Sequence, residues 1–592
     1  MGKSQLVSIV FVVLSLLVIF FIYEFGLLDV SLAPSKAVRN VAVPPSCINP
    51  PAYPQLIMQS AVICPGNYNY GIGIGASNVN LKCMSGAIFD GAFRVIGNGL
   101  EINGSFLNIT VEECAFKRFL GSGISLVGQV GVSNPGKLST ILLKNISSTE
   151  NIGNGLQINE NTNQTDVIDG NYSNNLAGNG IYIVANYKDP LRYRVNPDAY
   201  PKYFPNDVRI FNATASANNN NGIHVDAEKY YRQPDDVQRE NNIIIFDGNQ
   251  INNNLENGIK NTDFFVKVTT DYWPQASPSN YSVGRNNITN NSLAGIKIHT
   301  KKTQGPTGRE IICAHTAGTI RRENLALSSI SYIFWNVIEG NKNGIEVTID
   351  SNYTPNSEGS CVYDPKYLST LYSVSANRIR NNRESGVLYN IKDPLPIKFS
   401  TNIGVGGSYY QNIISSNGNS GVFLNGSASG ENNYDSRHSI AYLYCNDFIS
   451  NKDYGVRVTG SDISSLKEDL IYLVLSKYNI LEYNKIGGVY FNFSGTNGHA
   501  LAVDSSYMAN HPLFNIYNGV FSSSPRKIFE NDFAISPLLA FDVDSLGWER
   551  NYWDDYSPGC VDSSPADGWC DAPRPIPVAN KDILPKAGLP WY

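Results

Sequence analysis

Thirteen in-phase copies of one step, a glycine followed by Leu, Ile or Val, run from Gly99 to Gly519 at a mean spacing of 35 residues. Clear copies are Asn154-Gly155-Leu156, Asn179-Gly180-Ile181, Asn221-Gly222-Ile223 and Asn257-Gly258-Ile259. Later ones read Asn343-Gly344-Ile345, Ser385-Gly386-Val387, Ser420-Gly421-Val422 and Tyr454-Gly455-Val456. A fixed local pattern with elastic spacing means a solenoid that carries loop insertions. After each glycine the residues alternate: Ile181 and Ile183 flank Tyr182, and Ile223 and Val225 flank His224. Period two marks a strand with one buried face. The second inward position is mostly apolar, but Asn261 and Ser522 break the rule.

Asparagines recur upstream of the glycine. Four residues before it stand Asn151, Asn218, Asn254, Asn291, Asn382, Asn417, Asn451 and Asn484; nine before it stand Asn171, Asn249, Asn286, Asn377, Asn412, Asn446 and Asn479. Asn tolerates left-handed backbone and bonds its own turn. Each unit therefore reads strand, Asn-rich turn, glycine, strand, variable loop. A third strand precedes it in copies such as Leu470–Leu475. Three stacked strands per turn make a parallel β-helix, with the asparagines bonding one another along the axis as in cross-β ladders. Thirteen coils about 4.8 Å apart give a rod of roughly 60 Å. Asn-Gly turns also suit antiparallel hairpins, but the phase repeats too faithfully for that.

The pattern over roughly residues 60 to 585 resembles the right-handed parallel β-helix (pectin-lyase-like) superfamily. That resemblance implies an all-β right-handed parallel β-helix solenoid of about 13 coils. It does not single out an activity, because the fold hosts lyases, hydrolases, epimerases, adhesins and viral spikes. At the C-terminus stand Asn551-Tyr552-Trp553, then Asp567-Gly568-Trp569-Cys570-Asp571, then Pro575-Ile576-Pro577 and Asp582-Ile583-Leu584-Pro585. This ending is similar to that of the NosD-like subgroup, whose Asp/Gly-rich loop resembles a calcium loop. Asp562, Asp567 and Asp571 could hold calcium with backbone carbonyls; a Cys560–Cys570 disulfide is the competing way to close the same loop. Copper handling, known in that subgroup, has no soft-ligand cluster here, with four methionines and six scattered histidines.

Residues Leu6 to Tyr23 form an eighteen-residue apolar run, long enough to span a bilayer as a helix. Lys3 precedes it, and Glu24 and Asp29 follow, which puts the bulk of the chain outside. The reading is a cytoplasmic stub (1–5), a transmembrane signal-anchor (6–23), a Pro-rich stalk (24–56), the β-helix (57–545, with long loops on one edge) and a C-terminal cap (546–592). A cleaved signal peptide is the alternative, with Ser31-Leu32-Ala33 as its site, although Pro34 follows. A pilin-type cut before Gln5 is a third. The expected place is a cell or virion surface, single-pass membrane-anchored with the C-terminal bulk outside. Oligomeric state is left open, a trimer included.

Charged residues are only 16% of the chain and the net charge is −6, which excludes a basic face for nucleic acid. Twelve Asn-x-Ser/Thr sequons occur. Eleven are candidate glycan acceptors in an exported chain: Asn103, Asn108, Asn145, Asn163, Asn212, Asn280, Asn287, Asn290, Asn352, Asn425 and Asn492. Asn171 is set aside because the nine-residue count puts it in a ladder. Nine cysteines suggest an oxidising compartment. The expected pairs are Cys47–Cys64, Cys83–Cys114, Cys313–Cys361 and Cys560–Cys570, with Cys445 buried and free.

Function in a solenoid sits on outward faces and insertions. The outward residue after each step forms one stripe: Glu101, Gln157, Tyr182, His224, Lys260, Lys297, Glu346, Leu388, Phe423, Arg457 and Tyr490. The middle coils gather His224, Asp226, Lys260, Lys297, His299 and Glu346. His224, Asp226, Lys260, Lys297 and Glu346 could supply acid–base groups and a cation for an anionic sugar, or simply a solvated, charge-compensated face. Loops at 185–208, 227–242, 262–285, 300–333, 349–372 and 391–410 should emerge on one edge and are rich in Tyr and Pro. The polygalacturonase-like and pectate-lyase-like residue sets are missing. The sequence therefore points first to a membrane-anchored surface β-helix that binds glycan or a partner protein. A polysaccharide-active lyase, hydrolase or epimerase, and a viral spike or adhesin, are the rivals. No cofactor beyond the calcium loop is implied.

Overall fold

A computed structural model describes residues 47–493, apart from 129–137, 160–161, 185–206, 232–241, 268–278, 305–326, 353–368, 394–404, 429–438, 445, 462–470 and 476–478, and short strands beyond 493. The chain divides into residues 1–46, outside the described residues, and a unit running from Cys47 to Tyr592. The candidate membrane run 6–23 thus lies outside the described residues. Among the described residues, no helix is long and apolar enough to cross a membrane.

The unit is all-β, and most coils send one strand to each of three parallel sheets, so the chain winds as a parallel β-helix. The sheet that carries the Gly-Ile/Val strands has 16 strands, against the thirteen coils expected. The surplus lies at its ends: Leu56–Ile57 and Ile72–Ile74 precede the first counted copy, and Ala540–Asp542 follows the last. The second sheet has 13 strands. The third is a 4-stranded and an 8-stranded part, joined through single bridges at Ser147, Asn171, Thr214 and Gln250. Near the C-terminus Arg574–Ile576 pairs antiparallel with Asn580–Asp582, the exception to parallel pairing among the described strands. The five middle strands Ile223–Tyr231, Ile259–Lys267, Ala294–Gln304, Asn343–Asn352 and Val387–Asp393 run well into the segments read as loops. Each is paired in register with a similarly extended neighbour, so pairing continues past the outward lane.

The inward rows are aliphatic and fully buried, for example Ile181, Ile223, Ile259, Ile296 and Ile345. The glycine of the step is required by close approach, not by dihedral freedom. A Cβ at Gly258 would lie 2.6 Å from the carbonyl oxygen of Gly295 and 2.6 Å from Ile288 Cγ2. The same meeting recurs from Gly155 to Gly421, with the next coil's glycine carbonyl and a ladder amide on either side.

Ten buried asparagines form the first ladder: Asn151, Asn175, Asn218, Asn254, Asn291, Asn341, Asn382, Asn417, Asn451 and Asn484. Each side-chain amide donates to the Oδ1 of the next at 2.8–3.3 Å. The backbone N–H of each donates to the same oxygen, as from Asn254 to Asn291 at 3.1 Å. A second ladder runs Asn249, Asn286, Asn336, Asn377, Asn412, Asn446. A third, unexpected one runs the opposite way: Asn257 donates to Asn221, Asn221 to Asn179, and Asn179 to Asn154.

The left-handed corner residues are not the ladder asparagines. They are the residues just before them, such as Asn290 (φ 56°), Arg285 (φ 52°), Trp335 (φ 54°) and Ser416 (φ 56°). The ladder side chains are occupied in amide bonding, and the bend falls on a neighbour of varied identity. Asn171 also departs from expectation. Gly170 and Tyr172 flank it, Tyr172 is buried, and Asn171 is exposed on the third sheet's outer face. The reason to set its sequon aside therefore falls. Of the other sequons, Asn103, Asn108, Asn145, Asn212 and Asn290 are exposed, and Asn163, Asn287 and Asn425 are half-buried. The side chains of Asn280, Asn352 and Asn492 lie outside the described residues.

Cys47–Cys64 and Cys83–Cys114 are disulfides, which fits an oxidising compartment. Cys313, Cys361, Cys445, Cys560 and Cys570 lie outside the described residues, as do Asp562, Asp567 and Asp571.

Candidate functional site

Strand register fixes which outward residues meet. Tyr182, His224, Lys260, Lys297 and Glu346 are direct partners on five successive strands. Two residues on, Val184, Asp226, Thr262, His299 and Thr348 form the adjoining lane. Neighbouring side chains in a lane stand about 4.8 Å apart, the spacing of paired strands. The stripe read from the sequence is therefore a physical row.

Its members fall into separate sets of contacts. At the N-terminal end, Tyr182 donates its hydroxyl to Asp226 Oδ2 at 3.0 Å, and its ring lies 5.2 Å from that of His224. His224 Nε2 lies 3.4 Å from Thr262 Oγ1. Burial pushes the His224 imidazole down to about 4, with the Lys260 ammonium adding to the shift and Asp226 opposing it. The ring is therefore neutral at pH 7. Lys260 makes no ion pair among the described residues. The sequence did not single out Tyr182 as a site residue; its lane, one strand before His224, is the signal that places it there.

Lys297 and Glu346 belong to a different arrangement. They form an ion pair at 2.7 Å, and Asn343 donates to the other carboxylate oxygen at 3.4 Å. Each is thus the other's ion-pair partner. Further along the lane lie Leu388, Phe423, Arg457 and Tyr490. The Arg457 guanidinium sits 4.9 Å over the Phe423 ring and 5.6 Å over the Tyr490 ring, and it donates to Asp453 at 2.9 Å. Tyr454 stacks on Tyr490 at 4.8 Å.

Among the described residues, no group of three or more His, Cys, Asp or Glu could hold a metal ion. The cluster brings an imidazole, a phenol, a carboxyl group and an amine together on three successive coils.

No protein-family model matches the chain, and no curated protein matches it. Solved structures similar to it include the periplasmic alginate epimerase AlgG, at 12% identity over 79% of this chain and 85% of that chain, with a TM-score of 0.29. A single-substitution variant of the same enzyme aligns over 79% of both chains with a TM-score of 0.33, and a double variant over 78% of both with 0.32, each at 12% identity. Likeness at this level assigns neither reaction nor substrate to this chain.

Proposed function

We propose that the chain is an exported β-helix that takes up a carboxylate-bearing polysaccharide along the outer face of its Gly-step sheet. It acts on that chain at Tyr182, His224, Asp226 and Lys260 by moving the proton on the carbon beside the sugar carboxylate. One observation carries the reading. A lysine with no ion-pair partner among the described residues stands next to an imidazole that burial keeps neutral, itself beside a phenol. Lys260 would pair with the carboxylate and make the adjacent C–H more acidic. Neutral His224 would take that proton as general base. Tyr182 would supply a proton to the opposite face, giving an epimer, or to the departing glycosidic oxygen, giving an unsaturated end.

Hydrolysis fits less well, because it needs two carboxyl groups flanking the bond. Glu346 is engaged by Lys297 and Asp226 by Tyr182. Phe423, Arg457 and Tyr490 would carry further sugars by stacking and charge. In this reading residues 6–23 are an anchor or export signal, the winding is right-handed as almost all parallel crossovers are, and the C-terminal cap is of NosD-like type.

A second reading is binding without turnover, as a membrane-anchored surface, adhesin or spike protein. The aromatic half of the lane favours it, because it offers contact area but no acid–base pair. One experiment separates the two. The full chain is incubated in heavy water with a panel of uronate polysaccharides. Deuterium at the carbon beside the carboxylate is read by NMR, and unsaturated ends by ultraviolet absorbance. Exchange that disappears in His224→Ala supports the proposal. Binding with no exchange would establish the binding reading instead.

A further inference from the structure

The inward rows break at two polar residues that face one interior space. Asn261 occupies the aliphatic row between Val225 and Ile298, on the strand whose outward residues are Lys260 and Thr262. Ser331 occupies the inward row of the second sheet, next to Tyr281 in register. Both line a narrow space between the two sheets, walled mainly by Ile243, Ile245, Ile259 and Ile298. Asn261 is 4% exposed and Ser331 2%. The Oδ1 and Nδ2 of Asn261 and the Oγ of Ser331 are buried and bond to no other described residue.

We propose that this space is a binding site for one structural water, held between Asn261 and Ser331. An unbonded buried amide costs several times what a made hydrogen bond contributes, so two such residues in one cavity require a polar occupant. The cavity, ≈ 20 Å³, matches a single water, for which roughly 10–15 Å³ suffices. Three side-chain atoms supply both donors and acceptors, within the two to four partners that a buried water takes. No carboxylate or imidazole lines the space, so its chemistry suits water and not a cation. A wholly aliphatic gap of this size would stay dry. The water ties the Gly-step strand beneath Lys260 to the second sheet at a point where no backbone bond joins the two.

The test is a high-resolution crystal structure of the full chain beside one of the Asn261→Val/Ser331→Ala double variant. One peak of density within hydrogen-bond distance of both side chains, absent from the variant, is expected. A dry cavity in the wild-type protein, or an Asn261 amide bonded to another protein group, overturns the proposal. Magnetic relaxation dispersion gives a second readout on the folded proteins. The double variant should hold one fewer long-lived internal water, and an unchanged count refutes the site. Where the double variant does not fold, the wild-type density alone decides.

Discussion

Replacing Asn291 by alanine in the middle of the first ladder should cost about 5–7 kcal/mol. The side chain makes four hydrogen bonds. Its Oδ1 accepts from the Asn254 backbone at 3.1 Å and from the Asn254 amide at 2.8 Å. Its Nδ2 donates to Asn341 Oδ1 at 2.9 Å and to the Ile251 carbonyl at 3.1 Å. Each is worth about 1 kcal/mol net, and a stranded buried donor adds about 1–3 kcal/mol. Alanine strands one such donor, the backbone N–H of Asn254. The Asn254 amide keeps its bond to the Ala215 carbonyl, and Asn341 Oδ1 keeps the Asn291 backbone N–H. Aspartate at the same place puts an oxygen where Nδ2 stood, facing the Asn341 and Ile251 oxygens. It must be protonated to bond either one, so its folded pKa rises. Asn291→Asp should then be least stable at neutral pH and recover as pH falls toward the carboxyl's raised value. Urea unfolding of wild type, Asn291→Ala and Asn291→Asp at pH 7 and pH 5 measures both effects. An alanine cost below about 1 kcal/mol, or an aspartate variant whose deficit does not shrink in acid, would refute the view that the ladder is an essential buried network.

Three further outcomes are open to measurement. His224 is neutral in the fold, with its pKa lowered from 6.5 to about 4, so folding stability should fall as pH drops through that interval. At about 1.4 kcal/mol per unit the loss is about 3 kcal/mol, absent from His224→Gln. The imidazole titration followed by NMR should move upward in Lys260→Ala, and no movement would remove Lys260 as a cause. Gly258→Ala forces a methyl against the Gly295 carbonyl and Ile288, and its melting temperature should fall well below that of the wild-type protein; an unchanged value would refute the close-approach account. Tyr172→Phe deletes a buried hydroxyl with no hydrogen-bond partner among the described residues, and the variant should be equal in stability or more stable by about 1 kcal/mol; a clear loss would reveal a partner.

The coil repeat, the inward row and the outward stripe are legible in the sequence because period two and the Gly-aliphatic step fix phase without reference to anything distant. The ladders are nearly so. Counting back from glycine locates Asn218, Asn254 and Asn291, but misses Asn175 and Asn341, where the turn is one residue longer or shorter, and it places Asn171 in a row it does not join. The middle strands reach further than read, because strand length depends on how far the neighbour extends. The pairing of Lys297 with Glu346 is not legible either. Sequence places them in one lane, but whether two long side chains close on each other or face solvent depends on rotamers set by packing. Tyr182 becomes part of the site for the same reason, through a hydroxyl that reaches across to the next strand.

Along the first ladder the interval between successive asparagines ranges from 24 to 50 residues, yet the amide contacts stay within 2.8–3.3 Å. Alignment of the coils is thus a property of side chains meeting across the axis and is independent of how much chain lies between them. A segment inserted after any outward strand alters the length of the polypeptide without altering where the next coil lands. The outer surface can accordingly be rewritten one excursion at a time while the lanes beneath keep their places.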